Sequence, residues 1–129
     1  MIADIAQGTH LDMMYMPDAL KAVITLMETD AARLKHRNAF NITAMSVAPE
    51  EIADAIRRRI PDFVLDYRVD PVRQAIADSW PDAIDASCAQ EEWGGSVAYD
   101  LASMTDDMLV KQGEKHAPSL SFQGSAISR

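Results

Sequence analysis

The chain lacks most of the features that would declare an activity. It holds one cysteine, Cys88, so no internal disulfide can form, and a reducing, cytoplasmic setting is expected. No apolar run approaches the roughly 20 residues needed to cross a bilayer. The leading MIADIAQGTH has neither a basic nor an apolar leader region, so neither a membrane nor a secretory route is expected. Positive charge is scarce, with 12 Lys and Arg against 20 Asp and Glu, a net charge of −8. Phosphates repel such a surface, which argues against nucleic acid and anionic lipid as partners. The five glycines, Gly8, Gly94, Gly95, Gly113 and Gly124, cannot form the turn that brings backbone against a pyrophosphate at a helix N-terminus.

Ligand and nucleophile patterns are equally thin. His10, His36 and His116 are scattered without metal-ligand spacing and read as surface residues, so no metal site is expected. Cys88 has no histidine near it in sequence and reads as a buried, inert thiol. Asp78, Asp82 and Asp85 flank Trp80. An acid–base pair needs a geometry that spacing does not supply, and helix capping or loop solvation accounts for all three.

What is present is a chain of 129 residues, 48% hydrophobic, enough for one domain with a modest core. Its eight methionines read first as adaptable core filler. Pro17 makes Met13 to Met16 extended and Asp18 the cap of a helix whose buried stripe is Leu20, Val23, Ile24 and Met27. Phe40, Ile42 and Ala44 alternate as a short strand over residues 39–44. A second helix runs from Pro49 to Arg59 on a stripe of Ile52, Ala55, Ile56 and Ile60, with Glu50 and Glu51 at its positive end. Arg57, Arg58 and Arg59 fall in its last turn, a solvated, dipole-compensating place. Phe63, Leu65, Tyr67 and Val69 form one face of a half-buried strand. A loop with Pro71 and Pro81 follows. A helix capped by Asp85 then runs to Trp93 and is closed by Gly94-Gly95. Leu101, Met104, Met108 and Leu109 mark a last helix, and beyond about Lys111 the pattern dissolves. The alternation predicts a mixed α/β piece with few short strands and about four helices.

Several segments, in order, carry a resemblance. They are Asp12 with MMYMPDA, Phe40-Asn41-Ile42, Met45-Ser46, Pro49-Glu50-Glu51, RQAIADSWP from Arg73 to Pro81, Tyr99-Asp100-Leu101, and Met104 to Leu109. Over residues 11–109 the chain resembles the C-terminal half of an L-threonine 3-dehydrogenase of the extended short-chain dehydrogenase (NAD-dependent epimerase/dehydratase) type. The small, polar, unpatterned composition of residues 111–129 predicts a mobile tail. The resemblance implies the substrate-side portion of such a fold over residues 1–110, without a complete Rossmann sheet. It implies that the intact enzyme oxidises L-threonine to 2-amino-3-oxobutanoate by hydride transfer to NAD. It also implies a proton-relaying Tyr with a Lys four positions on. Here Tyr15 leads to Ala19, Tyr67 to Pro71 and Tyr99 to Ser103, so no catalytic and no cofactor-binding residue is expected in this chain, and no NAD bound to it alone.

The resemblance places Met14, Met16, Ser79 and Trp80 at the wall of a small-substrate site. As partners it implies an L-threonine-like substrate, with an NAD-binding half or a second copy of the chain. Nucleotide-sugar epimerases of the same superfamily carry diphosphate-holding arginines near the positions of Leu11 and Ala75, which cannot do that work; Arg73 is two positions off. Trp93-Gly94-Gly95 departs from the family's Trp-Gly-Trp, Ala48 from a capping hydroxyl, Asp70-Pro71-Val72 from its Pro-Asp-Phe, and the tail after Val110 from its short ending. Together these departures read as relaxed constraint.

Overall fold

The computed structural model describes residues 1–116. Two short two-stranded ladders anchor its helices. β1 (Ile2–Ala3) was not expected from the sequence; it runs parallel to β4 (Asp66–Tyr67), with Ile2 opposite Asp66. Backbone bonds from Arg68 to Ala3 and from Asp70 to Asp4, both 2.8 Å, continue that pairing. The alternating stretch over residues 63–69 thus forms a ladder only at its middle. β2 (Leu11–Met13) is antiparallel to β3 (Met45–Val47), with Leu11 opposite Val47. The strand expected over residues 39–44 is absent. Phe40 and Ile42 instead pack on the cluster of Ala22, Ala89 and Trp93, so their alternation records burial against a helix and not a ladder.

α1 (Met16–Glu28) begins earlier than expected, with Tyr15 extended at its N-cap and Pro17 inside its first turn, where a missing N–H costs nothing. Asp18 is therefore not a cap. It is 1% exposed, and its carboxylate accepts the backbone N–H groups of Ala98 and Tyr99, all at 3.0 Å. The buried positions of α1 are Asp18 and Ala22, whereas Leu20, Val23, Ile24 and Met27 are each more than half exposed. The expected core stripe is an outward apolar face. A short 3₁₀ turn over Ala31–Arg33, capped by Asp30, leads into the loop that carries His36.

α2 (Pro49–Arg57) has Ala48 at its N-cap, which offers no side-chain acceptor. Glu51 compensates by accepting the Ala48 N–H at 2.8 Å, half of a capping box. Ala53 and Ala55 are buried, while Ile60 lies past the helix end and is half exposed. α2 packs on α5 (Leu101–His116), and Arg59 grips Asp106 of α5 with both ends of its fork. Within α2, Arg57 pairs with Asp54.

α3 (Pro71–Asp78) occupies what reads as a loop. Asp70 caps it by accepting from Val72 and Arg73, and Pro71 fills the first helical position. α4 (Ser87–Trp93) follows Asp85, whose side chain accepts the Ser87 N–H, and Gly94 closes it at φ 75°. A Cβ at Gly95 would lie 3.0 Å from the Trp93 ring and 3.2 Å from the Ala89 Cβ, so a side chain there would push this backbone path apart. Cys88 is exposed, contrary to the buried reading, because α4 turns Ala89 and Trp93 inward. α5 runs past Lys111 to His116; the rest of the expected mobile tail, residues 117–129, lies outside the described residues.

The result is a mixed α/β piece with five α-helices and few short strands, and among the described residues no complete Rossmann sheet. Its buried apolar residues are alanines with Val47 and Trp93, and its largest fully buried side chain is Asp18.

Candidate functional site

The motif RQAIADSWP is built into the fold residue by residue. Arg73 pairs with Asp4 at 2.6 Å, and Gln74 accepts from the Ala6 N–H at 2.7 Å and donates to Thr9 and Asp78. These bonds dock α3 on the segment after β1. Ser79 closes α3 by donating its hydroxyl to the Ile76 carbonyl at 2.6 Å. The chain beyond Trp80 is stitched to the other ladder: Ser46 donates to the Asp82 carbonyl, Asp12 accepts from Ile84, and Asn41 donates to the Asp85 carbonyl. The chain is thus anchored on both sides of Trp80, whose side chain is 58% exposed.

The other half of the expected wall is fixed through Tyr15. Its ring meets Tyr99 edge to face at 5.0 Å, and its hydroxyl donates to Asp107 at 2.6 Å. Lys111 lies 2.6 Å from the same carboxylate and over the Tyr15 ring at 5.6 Å. Lys111, and then the Tyr15 hydroxyl, hold the Asp107 carboxyl below its ordinary range. Hydrogen bonding to Asp107 in turn raises the Tyr15 hydroxyl and the Lys111 ammonium. With Tyr15 pinned, the side chains on either side part company. Met16 is 62% exposed at the start of α1, while Met14 is half-buried.

Met14 lines a cavity of about 170 Å³ with Ile42, Thr43, Trp93, Ser96 and Val97. The fold does not bring Met16, Ser79 or Trp80 to that cavity; they remain at the surface. The three aspartates around Trp80 do structural work: Asp78 accepts from Gln74, Asp82 receives Ser46 through its backbone carbonyl, and Asp85, one residue before the N-cap Ala86 and so not the expected cap, accepts the Ser87 N–H. Leu11 is half-buried in β2 and Ala75 is exposed on α3, so neither offers a phosphate anchor, and Arg73 is engaged by Asp4.

The residues described do not fit a dinucleotide. The two glycines with positive φ are Gly8, in a turn, and Gly94, at the C-terminal end of α4. Neither opens a helix after a strand, where a pyrophosphate would need them. No helix among the described residues is long and apolar enough to cross a membrane.

The two ladders with their flanking helices define the C-terminal part of an extended short-chain dehydrogenase. Within that class the solved structures it resembles include L-threonine dehydrogenases. The enzyme from Clostridium difficile is 60% identical over 89% of this chain, with a TM-score of 0.87. That from Phytophthora infestans is 43% identical over 89%, with a TM-score of 0.86. A GalE-like L-threonine dehydrogenase from Cupriavidus necator is 45% identical over 86%, with a TM-score of 0.82. Among curated sequences, uncharacterized epimerase/dehydratases of Staphylococcus saprophyticus and Staphylococcus aureus are 57% identical over 81% of this chain. No family-level sequence profile matches. The chain spans about a third of the length of these relatives: 36% of the Clostridium difficile enzyme and 33% of the staphylococcal proteins.

Proposed function

We propose that this chain is the substrate-side portion of an NAD-dependent L-threonine 3-dehydrogenase and that it does not turn over threonine by itself. The observation that carries the reading is the 60% identity to a solved L-threonine dehydrogenase, spread over 89% of the chain at a TM-score of 0.87. The identity runs far above what shared fold alone requires, and the chain corresponds to 36% of that enzyme. In this reading Met16, Ser79 and Trp80 present the wall of a pocket whose opposite side belongs to an NAD-binding portion. Met14 supports the same segment from below. An exposed indole on a backbone anchored before and after it suits that task, because a wall must be rigid before it can orient a small substrate.

The sequence itself contains no glycine fingerprint and no Tyr–Lys pair at the required spacing, so hydride transfer and proton relay fall to residues outside it. A complementing module, paired with a separately supplied NAD-binding chain, is the reading favoured by the outward apolar face of α1. The nucleotide-sugar alternative lacks its anion anchors at Leu11 and Ala75.

The test places Trp80→Ala in the chain reconstituted with the NAD-binding portion of the Clostridium difficile enzyme. A several-fold rise in KM for threonine, with the affinity for NAD unchanged, is expected. An unchanged KM would remove Trp80 from the wall.

A further inference from the structure

We propose that His36, Cys88 and Glu92 form a site for a thiophilic divalent cation of the zinc class. Cys88 and Glu92 stand four residues apart on α4, which puts both side chains on one helix face. The loop after the 3₁₀ turn brings His36 to the same face, and one donor atom from each of the three lies within 4.8 Å of the others. Sequence spacing could not show this, because His36 reaches α4 only through the tertiary fold.

The geometry around Glu92 is what separates this cluster from a chance neighbourhood. Its side chain is 5% exposed, and its Oε2 accepts two backbone N–H groups, from Lys35 at 2.6 Å and from His36 at 3.0 Å. That oxygen is fully committed, and the commitment fixes the direction of the other. Oε1 faces Nδ1 of His36 in a short hydrogen bond. A carboxylate with one oxygen tied to backbone donors and the other turned toward an imidazole and a thiol is oriented as a metal-ligating carboxylate is by its outer partners. The imidazole is steadied from behind by Phe40, edge to face at 6.4 Å.

The donor set selects the ion. One sulfur, one nitrogen and one oxygen match three protein ligands of a tetrahedral zinc site whose fourth position is water. A thiolate excludes magnesium and calcium, which require oxygen cages. Zinc bonds of about 2.0 to 2.3 Å set donor atoms about 3.4 Å apart. The His36 ring must therefore turn away from Glu92 to admit the ion between them. It is 60% exposed and carried on a loop, so the movement leaves the Trp93 core intact. Binding ionises the Cys88 thiol, whose proton passes to solvent, and His36 ligates as the neutral imidazole with its ring proton on Nε2, so that sulfur, nitrogen and oxygen lone pairs bond to the cation. No oxidation or reduction is involved. The competing account is that Glu92 only pins the loop, and it predicts no role for Cys88.

The site lies wholly within this chain, so its test is independent of the dehydrogenase reading. The reduced chain is titrated with Co2+ and Zn2+, following absorption and heat. One ion per chain, a thiolate-to-cobalt charge-transfer band and a zinc-dependent rise in melting temperature are expected. Cys88→Ser, at an exposed position that folding does not need, should abolish the band and weaken zinc at least tenfold, and His36→Gln should weaken it comparably. The proposal is overturned if the parent chain shows no band, if either variant binds as the parent does, or if zinc binds only between two chains.

Discussion

Asp18 carries a carboxylate into the interior, 1% exposed, and two backbone N–H groups receive it there. Removing it strands the donors of Ala98 and Tyr99, and unsatisfied buried donors cost more than the bonds themselves contribute. Asp18→Ala should lower stability by about 2 to 3 kcal/mol, read as a lower urea midpoint at unchanged slope. A midpoint equal to the parent's would show that this carboxylate ties nothing. Charge pairing at Asp107 and Asp106 gives a second expectation. Both carboxyls are held below their ordinary range, by Lys111 with Tyr15 and by Arg59 respectively. Groups depressed in the folded state stabilise above their unfolded value, about 3.9 for Asp, and lose that contribution as pH falls through the folded value. Tyr15 and Lys111 are raised, so theirs is complete below about pH 10 and fades as pH climbs past it. Melting temperature should therefore fall on the acid side below about pH 4, and Asp107→Asn should flatten that limb. At this scale the sequence named Met14, Met16, Ser79 and Trp80 through resemblance alone, since nothing in their local spacing distinguishes a site wall from packing. The His36–Cys88–Glu92 cluster was illegible because a loop and a helix far apart in sequence make it.

Elements were legible where a local signal and the tertiary contact agree. α2 follows its punctuation at its start, where Pro49 with two glutamates opens it, and α4 at its end, where Gly94 closes it; at the start of α4 the N-cap is Ala86, one residue after the expected Asp85. α3 reads as a loop although its signal is local, since prolines punctuate loops as readily as helix starts; here Asp70 is the cap and Pro71 the first helical position. Asp70→Ala should cost about 1 kcal/mol, and unchanged thermal stability would show that Pro71 alone starts the helix. Two further misreadings share one physical cause. Residues 39–44 alternate because Phe40 and Ile42 bury against Trp93, and Leu20, Val23, Ile24 and Met27 share a helix face that the described residues do not cover. Periodicity reports which face is apolar. It does not say what the face meets.

That uncovered face matters most for the whole molecule. The buried set is mostly alanine, while Leu20, Val23, Ile24, Met27, Val72, Ile76 and Trp80 stand half exposed or more. A contiguous apolar helix face in water is covered by association when no partner is present. The chain alone should self-associate in sedimentation. Leu20→Glu with Ile24→Lys should return it to a monomer without loss of helix content, whereas a parent chain that is already monodisperse would leave the face without a role. In the proposed function this chain shapes a threonine pocket that it cannot itself operate. The direct measurement is threonine-dependent NADH formation by the purified chain, by the NAD-binding portion of the Clostridium difficile relative, and by the two mixed. No turnover is expected from either alone, and threonine-dependent turnover is expected on mixing. Turnover by the 129-residue chain alone, or none from the mixture when the other portion is folded and binds NAD, would contradict the proposed function.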